Sequence, residues 1–436
     1  MKGISRRKFI RGSLGSVAAA GVVARSAAGQ DAVVGANERI RVALIGSGGM
    51  GRGDLRTFFQ HKEVDCPVVC DVDDAMIANA VKTVEKNRRK TPDTTKDFRS
   101  IMDRKDVDAC IVGTPDHWHA LPTIHACQAG KDVYVEKPLA TTIGEGRAMV
   151  EAARKYNRVV QMGTQWRVGK HWGEAVDYVH SGKLGKIRLV RCWAALGWFN
   201  SVGKVEDSPT PAGVDYDMWL GPAPSRPFNK ARFHFTFRWF WDYAGGLMTD
   251  WGVHLINIAM WAMKAKTPIQ VSSVGGKFAF DDMAETPDTQ SAIYDFKDFM
   301  LIWEHQAGTG HGAEGREHGV AFYGTNGTLI VDHTNGWEVV PEPKKGLEPI
   351  KKRKAKGRDS RFRLAGDFLN CMRSRQRSVM DVEVGHRVSA VAHLGNIALI
   401  SKRVIGWDAE KERIIGHDDL DHLVTKPYRA PWKLKV

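Results

Sequence analysis

The stretch Ile40-Arg41-Val42-Ala43-Leu44-Ile45-Gly46-Ser47-Gly48-Gly49-Met50-Gly51 decides the fold. A short apolar run that ends abruptly in glycines reads as a buried strand entering a tight turn, and residues 51–59 continue as a helix. Glycines are needed there for the turn, for close backbone approach to a pyrophosphate, and for packing helix on strand. The helix N-terminus then faces the phosphate charge. Gly46, Gly48, Gly49, Met50 and Gly51 are therefore candidate cofactor-binding residues. Alone this signal is weak, but a second apolar run, 64–70, ends at Asp71, 25 residues after Gly46. A carboxylate at that point can hold both ribose hydroxyls. Val72, Asp73 and Asp74 follow, with no basic residue nearby in sequence, so a 2′-phosphate would meet repulsion. NAD is the expected cofactor and NADP the alternative.

Outward from this loop, short β-branched runs alternate with helical stretches. Strands are expected at 40–45, 64–70, 107–112, 133–135 and 159–162, with helices at 51–59, 75–86, 118–129 and 143–155. That rhythm means βαβ units and a doubly wound parallel sheet, placing a Rossmann domain at 38–165. Beyond it the pattern changes. Helices near 173–181 and 249–263 flank a strand at 187–196, and strand-like runs follow at 269–280, 289–296, 299–304, 320–323 and 328–331. Helices return near 359–373 and 386–405. Consecutive strands at hairpin spacing give an α+β second domain, 166–436, with a large, mostly antiparallel open sheet. An open sheet commonly pairs with another subunit, so a homo-oligomer is expected.

The net charge of +14 suggests a nucleic-acid binder until it is divided along the chain. Residues 1–28 hold six Lys/Arg and no acid, and residues 344–363 hold ten against Glu348 and Asp359. The remainder is balanced, so no nucleic-acid partner is expected. Ser5-Arg6-Arg7-Lys8-Phe9-Ile10, then a weakly apolar run to Ala24 and small residues at 26–28, resembles a twin-arginine export signal. A periplasmic or extracytoplasmic location is expected, with the chain exported already folded. No apolar run is long enough for a membrane span. Residues 30–37 could form an arm toward a neighbouring subunit. The six cysteines show neither paired nor metal-type spacing.

Two further blocks, Gly113-Thr114-Pro115-Asp116-His117-Trp118-His119 and Glu136-Lys137-Pro138, each follow a strand. With the glycine loop and Asp250-Trp251-Gly252-Val253-His254, they resemble the glucose–fructose oxidoreductase/inositol dehydrogenase/MocA family (Gfo/Idh/MocA). The resemblance extends over the chain beyond the leader. It implies hydride transfer between a nicotinamide and a sugar, polyol or glycoside carbon. It implies that Lys137 and His254 are the catalytic pair, with Asp250 beside the histidine. Thr114, Pro115, His119, Glu136, Lys137 and Gln165 would line the nicotinamide and its ribose. Asn257 stands where many members carry aspartate, which puts in doubt any carboxylate role there.

The chemistry is consistent with those residue types. Oxidising a secondary alcohol needs a base within hydrogen-bond reach of the hydroxyl, and an imidazole titrates near neutral pH. Asp250 and His254, four apart, are expected to share one helix face. An ammonium at Lys137 would stabilise the developing alkoxide. Nine of the fourteen tryptophans lie in 166–261, and the run 232–243 (RFHFTFRWFWDY) precedes the Asp250/His254 block. Aromatic faces pack on pyranose C–H faces, so Trp166, Arg167, His234, Arg238 and Trp239 are the candidate substrate contacts. His117, His119 and His125 form no tetrahedral set, and no metal is expected. Soluble NAD is scarce outside the cytosol, so a tightly bound, recycling cofactor is expected. Two redox-neutral alternatives follow: exchange of hydride between sugars, or a glycosidase that transiently oxidises a ring carbon. A non-catalytic NAD- or sugar-binding protein is the third.

Overall fold

The computed structural model describes residues 39–343, 345–353 and 360–436. The expected export signal, the expected 30–37 arm and part of the basic segment lie outside them. Strands β1 (Ile40–Ile45), β2 (Val64–Cys70), β3 (Asp93–Thr95), β4 (Ala109–Val112), β5 (Asp132–Val135) and β6 (Val160–Met162) form one all-parallel sheet in the order 3-2-1-4-5-6. Helices α1 (Gly49–Phe58), α2 (Asp74–Arg88), α3 (Ala120–Gln128) and α4 (Ile143–Lys155) connect them. Val42, Leu44, Ile111, Val112, Val133 and Val135 are fully buried, as strands covered on both faces require. The strand order reverses between β1 and β4, which opens a ligand crevice at their C-terminal ends.

The second domain holds α5 (Lys170–His180), β7 (Leu189–Leu196), α6 (Gly252–Ala262), β8 (Gln270–Gly276), β9 (Thr289–Asp295), β10 (Met300–Ala307), β11 (His318–Tyr323), β12 (Gly327–Asp332), β13 (Gly336–Pro341) and β14 (Ile350–Arg353). It continues with α7 (Ser360–Ser374), α8 (Val382–Ser401), β15 (Ile405–Asp408) and β16 (Arg413–Ile415). Ten strands form one sheet, ordered 14-13-12-11-7-10-9-8-15-16. Among the described residues only β7 and β10 of this sheet pair in parallel. The inner face carries Val190, Cys192, Val320, Phe322, Leu329 and Val331 and packs on α5, α6 and α8.

Several elements differ from expectation. Five strands, β3, β13, β14, β15 and β16, were not anticipated. The helix expected at 249–263 is two: a short turn, Gly246–Asp250, and α6, separated at Trp251. Helix α7 lies late in the chain yet packs on the first sheet, where Phe368 meets Phe58 and Tyr134 edge-on. All six cysteines are buried free thiols. No described helix is long and apolar enough to cross a membrane.

Candidate active site

A cavity of about 420 Å³ lies at the C-terminal ends of β1, β2, β4 and β5. Its floor is the glycine loop. Gly46 has φ +86, and a Cβ there would sit 2.5 Å from the Thr114 nitrogen. A Cβ on Gly51 would meet the Gly46 carbonyl at 2.0 Å, so Gly51 serves helix–strand packing and does not line the cavity. Gly46, Gly48, Gly49 and Met50 do line it. Asp71 is fixed by the backbone N–H groups of Ser47 (2.6 Å) and Asp73 (3.1 Å), and burial raises its carboxyl despite those bonds. Two basic residues distant in sequence also reach this end. Lys96 is tied to Asp74 at 2.8 Å, and His234 to Asp73 at 2.8 Å.

The opposite end gathers the charged groups. Thr114, Pro115, His119, Glu136 and Lys137 all line the cavity. The Lys137 ammonium donates to the Asp250 carboxylate (2.5 Å) and to its backbone carbonyl (3.2 Å). Arg238 donates to the same carboxylate oxygen at 3.2 Å. Burial alone would push the Asp250 carboxyl up, but the two cations outweigh it and hold it far below the carboxylate range. Asp250 therefore serves Lys137 and Arg238 rather than forming a hydrogen-bonded pair with His254, because the chain breaks helix at Trp251 between them. His254 packs its ring on Trp166 (4.7 Å), and its Nδ1 has no hydrogen-bond partner. Burial, reinforced by Lys137, lowers it to about 3, so it is neutral at physiological pH. His119 spans the carbonyls of Pro138 (2.7 Å) and Thr114 (3.0 Å), and burial lowers it to about 4. A neutral ring has one N–H, so it donates to one of them, and donation to Pro138, the shorter contact, ties the two motif loops together. Burial raises Glu136, against Lys137 and Arg361.

Of the expected substrate contacts, His234 and Arg238 line the cavity. Trp239 is core instead, buried against Phe199 at 4.4 Å. Arg167 donates to Asn257 (3.2 Å) and lies over Trp261, away from the cavity. Trp166 stands beside His254, just outside the cavity lining, and Gln165 also lies outside it. The cavity adds residues that motif reading did not assign, among them Asp116, Phe98, Trp118, Trp219, Phe235 and Phe237. Asp116 stood inside a quoted motif without a role assigned to it. Trp219, Phe235 and Phe237 reach the site from a long connection with no periodicity, while Phe98 and Trp118 come from the first domain. Among the described residues no group of three or more His, Cys, Asp or Glu side chains could hold a metal.

A glycine turn, a buried acid at the ribose end and a helix N-terminus fit a dinucleotide. Residues 40–164 match the model described as the oxidoreductase family's NAD-binding Rossmann fold, and residues 177–434 match its C-terminal alpha/beta domain. The chain belongs to the Gfo/Idh/MocA oxidoreductase family. As in that family model, its first domain is NAD-binding. An alpha-N-acetylgalactosaminidase of Shewanella oneidensis is 29% identical over 154 residues, 34% of either chain. The match thus spans about a third of that curated relative. Among solved Gfo/Idh/MocA folds, a levoglucosan dehydrogenase in complex with NADH and levoglucosan superposes with a TM-score of 0.65 at 19% identity. It covers 84% of this chain and 99% of that one. An aldose-aldose oxidoreductase of Caulobacter crescentus gives 0.65 at 18%, with the same coverage.

Proposed function

We propose that this chain is an NAD-dependent oxidoreductase acting at a hydroxyl-bearing carbon of a sugar, polyol or glycoside. The observation that carries this reading is Lys137, held in the cofactor cavity by Asp250 with a neutral imidazole, His254, on the neighbouring helix α6. An ammonium has three donors, and two of those on Lys137 are used by Asp250. The third is left for a substrate oxygen, where it stabilises negative charge as the hydroxyl proton leaves. His254 meets the substrate unprotonated and accepts that proton. Gly46, Gly48, Gly49 and Asp71 hold the dinucleotide, whose nicotinamide supplies the hydride acceptor or donor.

A redox-neutral cycle, as in a glycosidase that oxidises and re-reduces one ring carbon, is the second reading. Two observations favour it: the alpha-N-acetylgalactosaminidase relative, and the segment that spans the cofactor crevice. There Asp215 N–H donates to the Val72 carbonyl (2.9 Å), Val214 bridges Asp73, and His234 holds Asp73. A cofactor so covered is retained and recycled, which suits the twin-arginine export that Arg6 and Arg7 suggest.

Mass spectrometry of nucleotide released from denatured, purified protein tests retention. Near-stoichiometric NAD(H) is expected, and absence of nucleotide overturns the sealed cycle. Lys137→Ala should keep its nucleotide and lose at least ~10³-fold in nicotinamide reduction by sugars and glycosides. Wild-type rates in that variant would remove Lys137 from the chemistry.

A further inference from the structure

Outside the cavity lining, two imidazoles gather under Trp166 at the end of the large sheet's inner face. His318 opens β11 on the same face as Val320 and Phe322, and His333 follows β12 in the turn that leads to β13. Trp166 lies over both, 6.0 Å from His318 and 5.3 Å from His333, and it also contacts His254 at 4.7 Å. Trp251 meets His318 edge-on at 5.1 Å. The aromatic stack thus runs from the candidate base to the sheet.

What sets His318 apart is that it is 6% exposed yet neither ring nitrogen has a hydrogen-bond partner. The Trp166 indole N–H and His254 Nδ1 are unpartnered too. Buried polar atoms are nearly always satisfied, and leaving them unsatisfied opposes folding. A histidine serving only the fold would be bonded, as His305 is to the Pro287 carbonyl and His393 to the Ala140 carbonyl. Burial keeps the His318 ring neutral down to about 4. A neutral imidazole offers one donor and one acceptor, the complement of a hydroxyl, which is also both. A carboxylate or phosphate accepts only, and would leave the acceptor nitrogen unmet.

We propose that His318 is a specificity-determining residue, which binds one hydroxyl of a neutral sugar ring whose reacting carbon lies at Lys137 and His254. This rests on the sugar-directed reading above. The Trp166 N–H supplies a second donor on the same wall, and Trp251 supplies an apolar surface beside it.

The test uses the full chain with its own nucleotide. The probes are methyl glucopyranoside and methyl galactopyranoside, each with its monodeoxy analogues. Calorimetry on the NADH-loaded protein reads binding, and nicotinamide absorbance on the NAD-loaded protein reads turnover. Wild type should lose ~10- to 100-fold in affinity for one deoxy analogue, the one lacking the His318 hydroxyl. His318→Leu should bind the parent that much more weakly and ignore that hydroxyl, while keeping its preference at the others. His318→Gln should recover part of the loss. Without sugar, His318→Leu should melt no lower than wild type, because an unsatisfied buried group has been removed. A lower melting temperature, or a parallel loss across all analogues, makes His318 structural and overturns the proposal. Sugar binding without nicotinamide reduction would sink the oxidoreductase reading but leave His318 to be judged by binding alone. If no sugar binds wild type, both fall.

Discussion

Asp116 is buried beside Lys137 and Arg238, and burial, aided by Asp250 and Glu136, pushes its carboxyl up to about 7 against those cations. In the unfolded chain an aspartate titrates near ~3.9. The folded value is raised, so the stability linked to the neutral acid is fully present below ~3.9 and is lost as pH rises through about 7. Asp116→Asn keeps the shape and removes the proton. Denaturant unfolding of both proteins should show the variant gaining on wild type between pH 5 and pH 8, by roughly 2.6 kcal/mol. An unchanged difference across that window would mean Asp116 is ionised in the folded protein. His254 behaves oppositely: with its imidazole held near 3, it contributes no titration of its own around pH 6.5. Any acid limb found there in the rate belongs to another group, and Asp116 is one candidate in the cavity. At this scale the sequence revealed the cluster but not its wiring. The bond from Lys137 to Asp250 joins residues 113 apart, and nothing in either local pattern says that Asp250 turns to the lysine instead of His254.

The elements that build the crevice were legible because their signals are local. The runs at β1, β2, β4, β5 and β6 are apolar and buried on both faces, and each is closed by glycine, proline or a polar turn. Of the strands that escaped reading, Asp93–Thr95 and Ile350–Arg353, with its IKKR sequence, are short polar edge strands, whereas β13 lies inside the sheet. Their pairing comes from a neighbour rather than from alternation. Trp239 and the rest of the aromatic segment were ambiguous for a similar reason: the same side chains suit a core or a sugar wall, and only packing separates them. That segment also carries a mechanical consequence. His234 reaches back to Asp73, at the N-cap of α2, and so fastens the second domain's long connection across the dinucleotide crevice. Removing the imidazole leaves the Asp73 cap to Ala75 in place. His234→Ala should therefore fold normally and release NADH about tenfold faster, equivalent to ~1.4 kcal/mol. Stopped-flow fluorescence of NADH release reads this directly. An unchanged rate would show that the connection does not hold the cofactor.

For the whole molecule, the outer face of the large sheet poses the remaining question. One half is covered locally: the Trp193 indole donates to the Arg316 carbonyl, and Trp193 packs with Ala321 and Ile330 beneath that connection. The other half, across β8, β9 and β10, exposes Val274 (76%), Ile293 (44%) and Met300 (41%) in neighbouring strands. A sheet that shows apolar side chains on one face of three neighbouring strands, each two residues off the next in register, has the character of an interface. Among the described residues nothing on this chain covers them. A second copy is the simplest occupant, because two such faces related by a twofold axis present the same residues to each other. Light scattering on the purified protein should then give at least twice the mass of one chain. Ile293→Lys places a charge in the middle of that patch, where pairing would bury it without a partner. The variant should fall to the mass of a single chain at micromolar concentration while keeping its nucleotide, since the cofactor cavity lies in the first domain's crevice. A wild-type monomer would refute pairing outright. An oligomer that survives Ile293→Lys would move the interface elsewhere and leave this half of the sheet open to solvent.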